Sequence, residues 1–280
     1  MKINTIKAVY FSPAGHTRKV VCSFADKMAD YLNVPVEEVD FTLPPNRENI
    51  YQFGKDELVI FGVPTYAGRI PNKILPFIRE MFRGDGTPAI NLVTFGNRSY
   101  DSSLTELRDE LMNLGFQVFA CGAFVCEHVF SDKSGTGRPD EEDFALMDQM
   151  AKQCFSILDR YENPTDMSRL PAPVNGDGQP VKPYYTPLKA DGSPAVFLKA
   201  KPITDQDLCD HCGICAKVCP MGSVDPEDPA LVTGICIKCQ ACIKGCPKGA
   251  KYFDHPDYLS HVRMLEENYS RRADSEFFVS

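Results

Sequence analysis

The chain of 280 residues contains no tryptophan, no excess of basic residues and no long run of apolar ones. Each gap narrows the function. A net charge of −8 supplies neither a basic stripe for nucleic acid nor a polybasic patch for an anionic membrane, so neither is expected as a partner. Without an apolar stretch of about 20 residues no membrane span is expected, and without a charged-then-apolar leader neither is export. The G-x-G-x-x-G signature of dinucleotide-binding folds is missing too: the fragments at Gly84, Gly135 and Gly176 lack the third glycine and a preceding strand. The absence of tryptophan leaves stacking on a planar ring to tyrosine or phenylalanine.

Cysteine, by contrast, is plentiful. Of twelve, eight lie in one block where a single pattern is written twice, as Cys209-x2-Cys212-x2-Cys215-x3-Cys219-Pro220 and Cys236-x2-Cys239-x2-Cys242-x3-Cys246-Pro247. Three thiolates at every third position of a tight loop can hold three irons of a cubane cluster, leaving the fourth iron to a cysteine from elsewhere. Structural zinc wants two pairs set apart by a longer spacer and has no use for the third cysteine. Disulfides suit short secreted chains. The block resembles a bacterial two-[4Fe-4S] ferredoxin. The resemblance implies that Cys209, Cys212, Cys215 and Cys246 hold one cluster and Cys236, Cys239, Cys242 and Cys219 the other. Such thiols imply a reducing compartment, read as cytoplasmic, and the oxygen sensitivity of these clusters fits an anaerobic setting. Cys22, Cys121, Cys126 and Cys154 read as buried thiols.

Ahead of this block, residues 1–161 alternate short β-rich runs with helical patterns. Strands are expected at 6–11, 36–39, 58–63, 90–95 and 118–125, and helices at 17–32, 71–82, 102–114 and 140–161, with a weaker one at 47–53. Strand and helix alternating five times describes an α/β, doubly wound parallel sheet, whose ligands sit beyond the carboxyl ends of the strands.

Three loops lie there. Ser12-Pro13-Ala14-Gly15-His16-Thr17 joins a strand to a helix and frees backbone N–H groups at the helix start, the usual chemistry for a phosphate. It resembles the phosphate loop of flavodoxins, with Ala14 where that family has a hydroxyl and His16 where it often has asparagine. Pro64, Thr65, Tyr66, Ala67 and Gly68 follow the third strand, and Thr94, Phe95, Gly96, Asn97, Tyr100 and Asp101 the fourth. In flavodoxins these two loops clasp the isoalloxazine ring of FMN, which makes Tyr66 and Tyr100 the stacking candidates and Gly68 and Gly96 the points of close backbone approach. Other doubly wound families fit less well. A response-regulator domain would need carboxylates where Phe11-Ser12 and Val63-Pro64 stand, and a low-molecular-weight phosphatase a Cys and an Arg framing the first loop.

Residues 162–202 are a proline-rich, extended connector with apolar anchors at Tyr184, Tyr185 and 196–198, expected to pack on the first domain. Residues 203–254 form the small α+β ferredoxin-like domain, nearly neutral, with Lys238, Lys244, Lys248 and Lys251 around its second motif. A helix at 256–269 and an apolar end at 277–279, within a C-terminal helix and tail of 255–280, are expected to dock on the body. Nearly the whole chain resembles flavodoxin–ferredoxin fusion proteins. The resemblance implies a carrier relaying single electrons between two [4Fe-4S] clusters and FMN, with a redox protein donor and acceptor of ferredoxin or flavoprotein type. The alternative is an FMN-dependent reductase of a quinone, nitro compound or nicotinamide, for which Arg69, Asn97, Arg98 and Asp101 would line the pocket. A two-fold homodimer is the default expectation for assembly.

Overall fold

The computed structural model describes residues 2–162, 166 and 180–280. In chain order it begins with β1 (Thr5–Tyr10), α1 (His16–Leu32), β2 (Val36–Asp40), β3 (Tyr51–Phe53), β4 (Glu57–Pro64) and α2 (Leu75–Met81). There follow β5 (Phe82–Gly84), β6 (Thr87–Phe95), α3 (Ser103–Asn113), β7 (Phe116–Val125) and α4 (Glu141–Arg160). The main sheet runs β2-β1-β4-β6-β7, all parallel. Counting only these five strands, the order is 2-1-3-4-5, that of flavodoxin-like sheets, and the order reverses between β1 and β4.

The strands form where the apolar runs predict them, because a strand covered on both faces must be apolar throughout. Every residue of β6 is buried, as are all but the ends of β4. One core, including Val20, Phe24, Met28, Met147 and Met150, lies beneath α1 and α4; the other, including Ile74, Ile78, Leu104, Leu107 and Leu111, beneath α2 and α3. Full burial of a Leu, Ile, Phe or Met side chain stabilises by about 1.5–3 kcal/mol, so these two layers dominate the stability of the domain.

The weak helix expected at 47–53 does not form. A 3-10 turn occupies Pro44–Arg47, and β3 pairs in parallel with β5, Tyr51 opposite Phe82. Tyr51 and Phe53 share a face at period two and stack on Phe82, so the segment obeys strand rather than helix spacing.

Beyond the connector lie β8 (Ile203–Thr204), α5 (Ile214–Lys217), α6 (Ala241–Lys244), β9 (Lys251–Tyr252), α7 (Pro256–Asn268) and β10 (Glu276–Val279). β8 and β9 pair antiparallel. β10 returns to the first domain and adds an antiparallel sixth strand to the edge of β7. The described part of the connector lies along the first domain: Tyr185 N–H donates to Ala67 O (2.8 Å), Lys182 N–H to Ser102 Oγ (3.0 Å) and Tyr184 O–H to Ile70 O (2.7 Å). Pro164, Pro171, Pro173, Gly176 and Gly178 lie outside the described residues.

A third core joins what the sequence separates. Ala195, Phe197 and Ala200 of the connector meet Phe253 and Tyr258 from the region of β9 and α7, with Phe130 of the first domain and Cys236 beside them.

Candidate functional site

The loops after β1, β4 and β6 converge on a cleft of about 240 Å³. Ser12, Ala14, His16 and Thr17 line it from the first, Pro64, Thr65, Tyr66, Ala67 and Gly68 from the second, and Thr94, Phe95 and Gly96 from the third. Ser12 Oγ accepts the Arg18 N–H (2.9 Å), which leaves its own O–H free to donate. The Thr17 and Thr94 hydroxyls bond each other (2.8 Å). His16 and Thr17 open α1, so their amides have no intrahelical acceptor, and Ala14 can offer only a backbone amide. The loop thus presents amide donors and one hydroxyl, a set that fits a phosphate.

Tyr66 to Arg69 close a tight turn in which Ala67 (φ 49°) and Gly68 (φ 78°) are both left-handed. Burial raises the pKa of the Tyr66 hydroxyl well above its ordinary value, with the Cys239 and Cys236 thiols adding to the rise. The two glycines serve packing within the protein. A Cβ on Gly68 would lie 2.2 Å from Asp101 Oδ2, and one on Gly96 would lie 2.4 Å from His128 Cδ2.

Four residues expected at the site do not line the cleft. Gly15 forms the left-handed turn before α1 (φ 83°). Asn97 is 2% exposed and ties down the chain end, its Nδ2 donating to Tyr269 O (2.6 Å) and Arg271 O (2.7 Å) while its Oδ1 accepts from Ala273 N–H. Tyr100 packs edge-on to Phe95 and donates to Glu276 Oε1 (2.7 Å). Asp101 accepts from Ser99 Oγ and Arg98. Of the four residues expected to line a reductase pocket, only Arg98 reaches the cleft, stacked 4.0 Å from the ring centroid of Tyr185. Arg69 instead clamps Glu106 through two bonds of 2.8 and 2.6 Å.

The far wall is built by segments that sequence reasoning did not bring here: Cys126 to Phe130 after β7, Tyr185, Pro187 and Phe197 of the connector, Ile237 and Lys238 of the second cysteine motif, and His261 and Leu265 of α7. The loop after β7 also stands at a strand's carboxyl end, a signal that was available; the others are placed by tertiary packing. His128 Nδ1 accepts the Phe130 N–H (3.1 Å), so the neutral ring carries its proton on Nε2. Burial lowers its pKa to about 4, and His261, Arg98 and Lys244 push it the same way. His261 Nδ1 is 2.8 Å from Leu188 O and must donate there, leaving Nε2 as the acceptor.

The eight motif cysteines sort into two small cavities. Cys209, Cys212, Cys215 and Cys246 line one, and Cys219, Cys236, Cys239 and Cys242 the other. The two motifs fold alike. His211 and Gly213 in the first, like Lys238 and Gln240 in the second, are left-handed and flank the second cysteine. α5 and α6 follow, and Cys219 Sγ and Cys246 Sγ each accept a backbone N–H at 3.3 Å, from Ser223 and Ala250. Burial pushes the thiol of Cys242 up to about 12 and raises those of Cys215, Cys236 and Cys239, so ionisation there calls for a cation in place of the proton. Among the described residues no three His, Cys, Asp or Glu side chains converge closely enough to hold one metal ion. Ile237 and Lys238 line both the cleft and the Cys236 cavity. Cys22, Cys121, Cys126 and Cys154 take no part in either motif; the last three are buried and Cys22 half-buried.

A 4Fe-4S binding domain matches residues 201–224, and a second 4Fe-4S binding domain matches 233–249. No curated protein matches the chain. Similar solved structures include the rubredoxin oxygen:oxidoreductase of Desulfovibrio gigas, 18% identical over 57% of this chain and 37% of that one, with a TM-score of 0.41. This chain therefore spans little more than a third of that oxidoreductase. A Streptococcus pneumoniae flavodoxin is 17% identical over 53% of this chain and 95% of its own, with a TM-score of 0.38. An NADH:FMN oxidoreductase in its apo form is 15% identical over 58% and 92%, with a TM-score of 0.42. No helix among the described residues is long and apolar enough to cross a membrane. The strand order of the first domain and the two matched iron–sulfur segments show a flavodoxin-like α/β domain joined to a 4Fe-4S ferredoxin-like domain.

Proposed function

We propose that the protein relays single electrons between two [4Fe-4S] clusters and FMN. Cys209, Cys212, Cys215 and Cys246 ligate one cluster, Cys219, Cys236, Cys239 and Cys242 the other, and the cleft after β1, β4 and β6 takes the flavin. When bound, each cluster exchanges one electron and FMN one or two. The observation that carries this reading is the shared wall: Ile237 and Lys238 line both the Cys236 cavity and the cleft. Ser12 and the amides at the start of α1 receive the phosphate, Tyr66 and Phe95 flank the ring, and the connector and α7 cover the cleft from water. A redox protein docks at the iron–sulfur end, donating or accepting electrons, in a reducing cytoplasm.

The reductase alternative has one observation in its favour. The imidazoles of His128 and His261 line the cleft, one holding a donor and the other an acceptor at Nε2, as proton transfer to a small substrate would require. Turnover of a quinone or nicotinamide by the reconstituted protein would favour it. The relay reading is tested first by anaerobic reconstitution of the full chain with iron, sulfide and flavin quantification. It expects two cubane clusters and one FMN per chain; clusters without flavin would refute it.

A further inference from the structure

Residues 219–224 and 246–251 are the same stretch of the two motif copies, Cys-Pro-Met-Gly-Ser-Val and Cys-Pro-Lys-Gly-Ala-Lys. They share a backbone: Gly222 and Gly249 are both left-handed, at φ 58° and 62°, and in each the fourth residue after the cysteine donates its N–H to that sulfur. Each stretch ends on a buried side chain, Val224 at 5% exposure and Lys251 at 3%. Val224 lines the cavity of Cys219, Cys236, Cys239 and Cys242, whereas Lys251 lines that of Cys209, Cys212, Cys215 and Cys246.

A valine there fills space. A lysine there is a buried ammonium, which is strongly unfavourable without an anion. Its Nζ donates to the Pro229 carbonyl, and among the described residues no carboxylate pairs with it. Both Lys251 and the Pro229 it bonds stand in the wall of the cavity of Cys209, Cys212, Cys215 and Cys246, so the charge is held beside those four sulfurs.

We propose that Lys251 is the built-in countercharge of the cluster held by Cys209, Cys212, Cys215 and Cys246, and that it makes this cluster the higher-potential one of the pair. Reduction adds one negative charge to a cluster with no bond made or broken, and a fixed ammonium in a water-poor setting favours the more negative state. No residue lining this cavity also lines the flavin cleft, whereas Ile237 and Lys238 line both the cleft and the other cavity; Lys238 is only partly buried, so solvent screens its charge more than that of Lys251. A single electron in the pair therefore rests on the cluster away from the flavin, and a second must occupy the lower-potential cluster beside it. The inference rests on the cluster assignment of the relay reading.

The test is an EPR-monitored redox titration of the anaerobically reconstituted full chain as wild type, Lys251→Val, Lys251→Gln and Lys251→Arg. The wild type is expected to show two resolved cluster reductions. Lys251→Val, which installs the residue of the other copy, is expected to move the higher one to more negative potential and narrow the gap. Lys251→Gln does the same while keeping a polar group for Pro229, should valine impair folding, and Lys251→Arg keeps the potential near wild type. Unmoved potentials in the neutral variants at full iron and sulfide content overturn this inference alone. Iron well short of two clusters in the wild type overturns the cluster assignment, and the inference with it.

Discussion

His128 takes its chemistry from three neighbours. The Phe130 amide fixes its tautomer, the missing Cβ of Gly96 makes room for its ring, and burial keeps it neutral down to about pH 4. An unfolded chain would protonate the same ring near its ordinary 6.5. Between these values the unfolded state binds the extra proton, so stability is at its full value above the window and falls as pH drops through it. Burial lowers His16 and His261 too, so both act in the same direction. Denaturant unfolding should become easier as pH falls from 6.5 towards 4, with His128 supplying at most roughly 3 kcal/mol of the change. His128→Gln should flatten that part of the profile; equal slopes in the two proteins would contradict the assignment. The sequence made the cysteines legible because their spacing is itself the geometry. It could not show His128, whose role depends on a cavity, nor that Asn97 spends its amide on Tyr269 and Arg271 rather than on a ligand.

Among the elements, the return of the chain end matters most. Arg138 and Asp143 form a buried ion pair at the start of α4, 5% and 2% exposed. Both also reach the tail, since Arg138 Nη1 donates to Ala273 O (3.0 Å) and Asp143 Oδ1 accepts from Ser275 Oγ (2.6 Å). Removing one partner of a buried pair leaves the other charge uncompensated, at a cost of about 3–5 kcal/mol. Arg138→Met should therefore lose stability of that order in denaturant titration and speed amide exchange in β10; a loss below about 1 kcal/mol would show that the pair is solvent-screened. The five parallel strands were legible because burial on both faces writes an unbroken apolar run. β10 was visible only as an apolar end, since its strand geometry comes from pairing with β7 and not from its own four residues. The misread segment at 47–53 is short for the same reason: three residues of β3 carry too little periodicity to outweigh helical propensity nearby.

At the scale of the molecule, the carboxyl-end rule located one half of the cleft and said nothing of the other. Its floor comes from three loops of the sheet, whereas its far wall is assembled from the β7 loop, the connector, the second cysteine motif and α7. That assembly brings the Cys236 cavity against the cleft, and the third core around Phe197, Phe253 and Tyr258 holds it there. The proposed relay requires electrons to cross this wall. It is tested most directly by anaerobic stopped-flow mixing of the reconstituted protein with a low-potential one-electron donor, following iron–sulfur and flavin absorbance together. The clusters should be reduced first, with flavin reduction following at the rate at which they are reoxidised. Clusters that become fully reduced while bound FMN stays oxidised would contradict it.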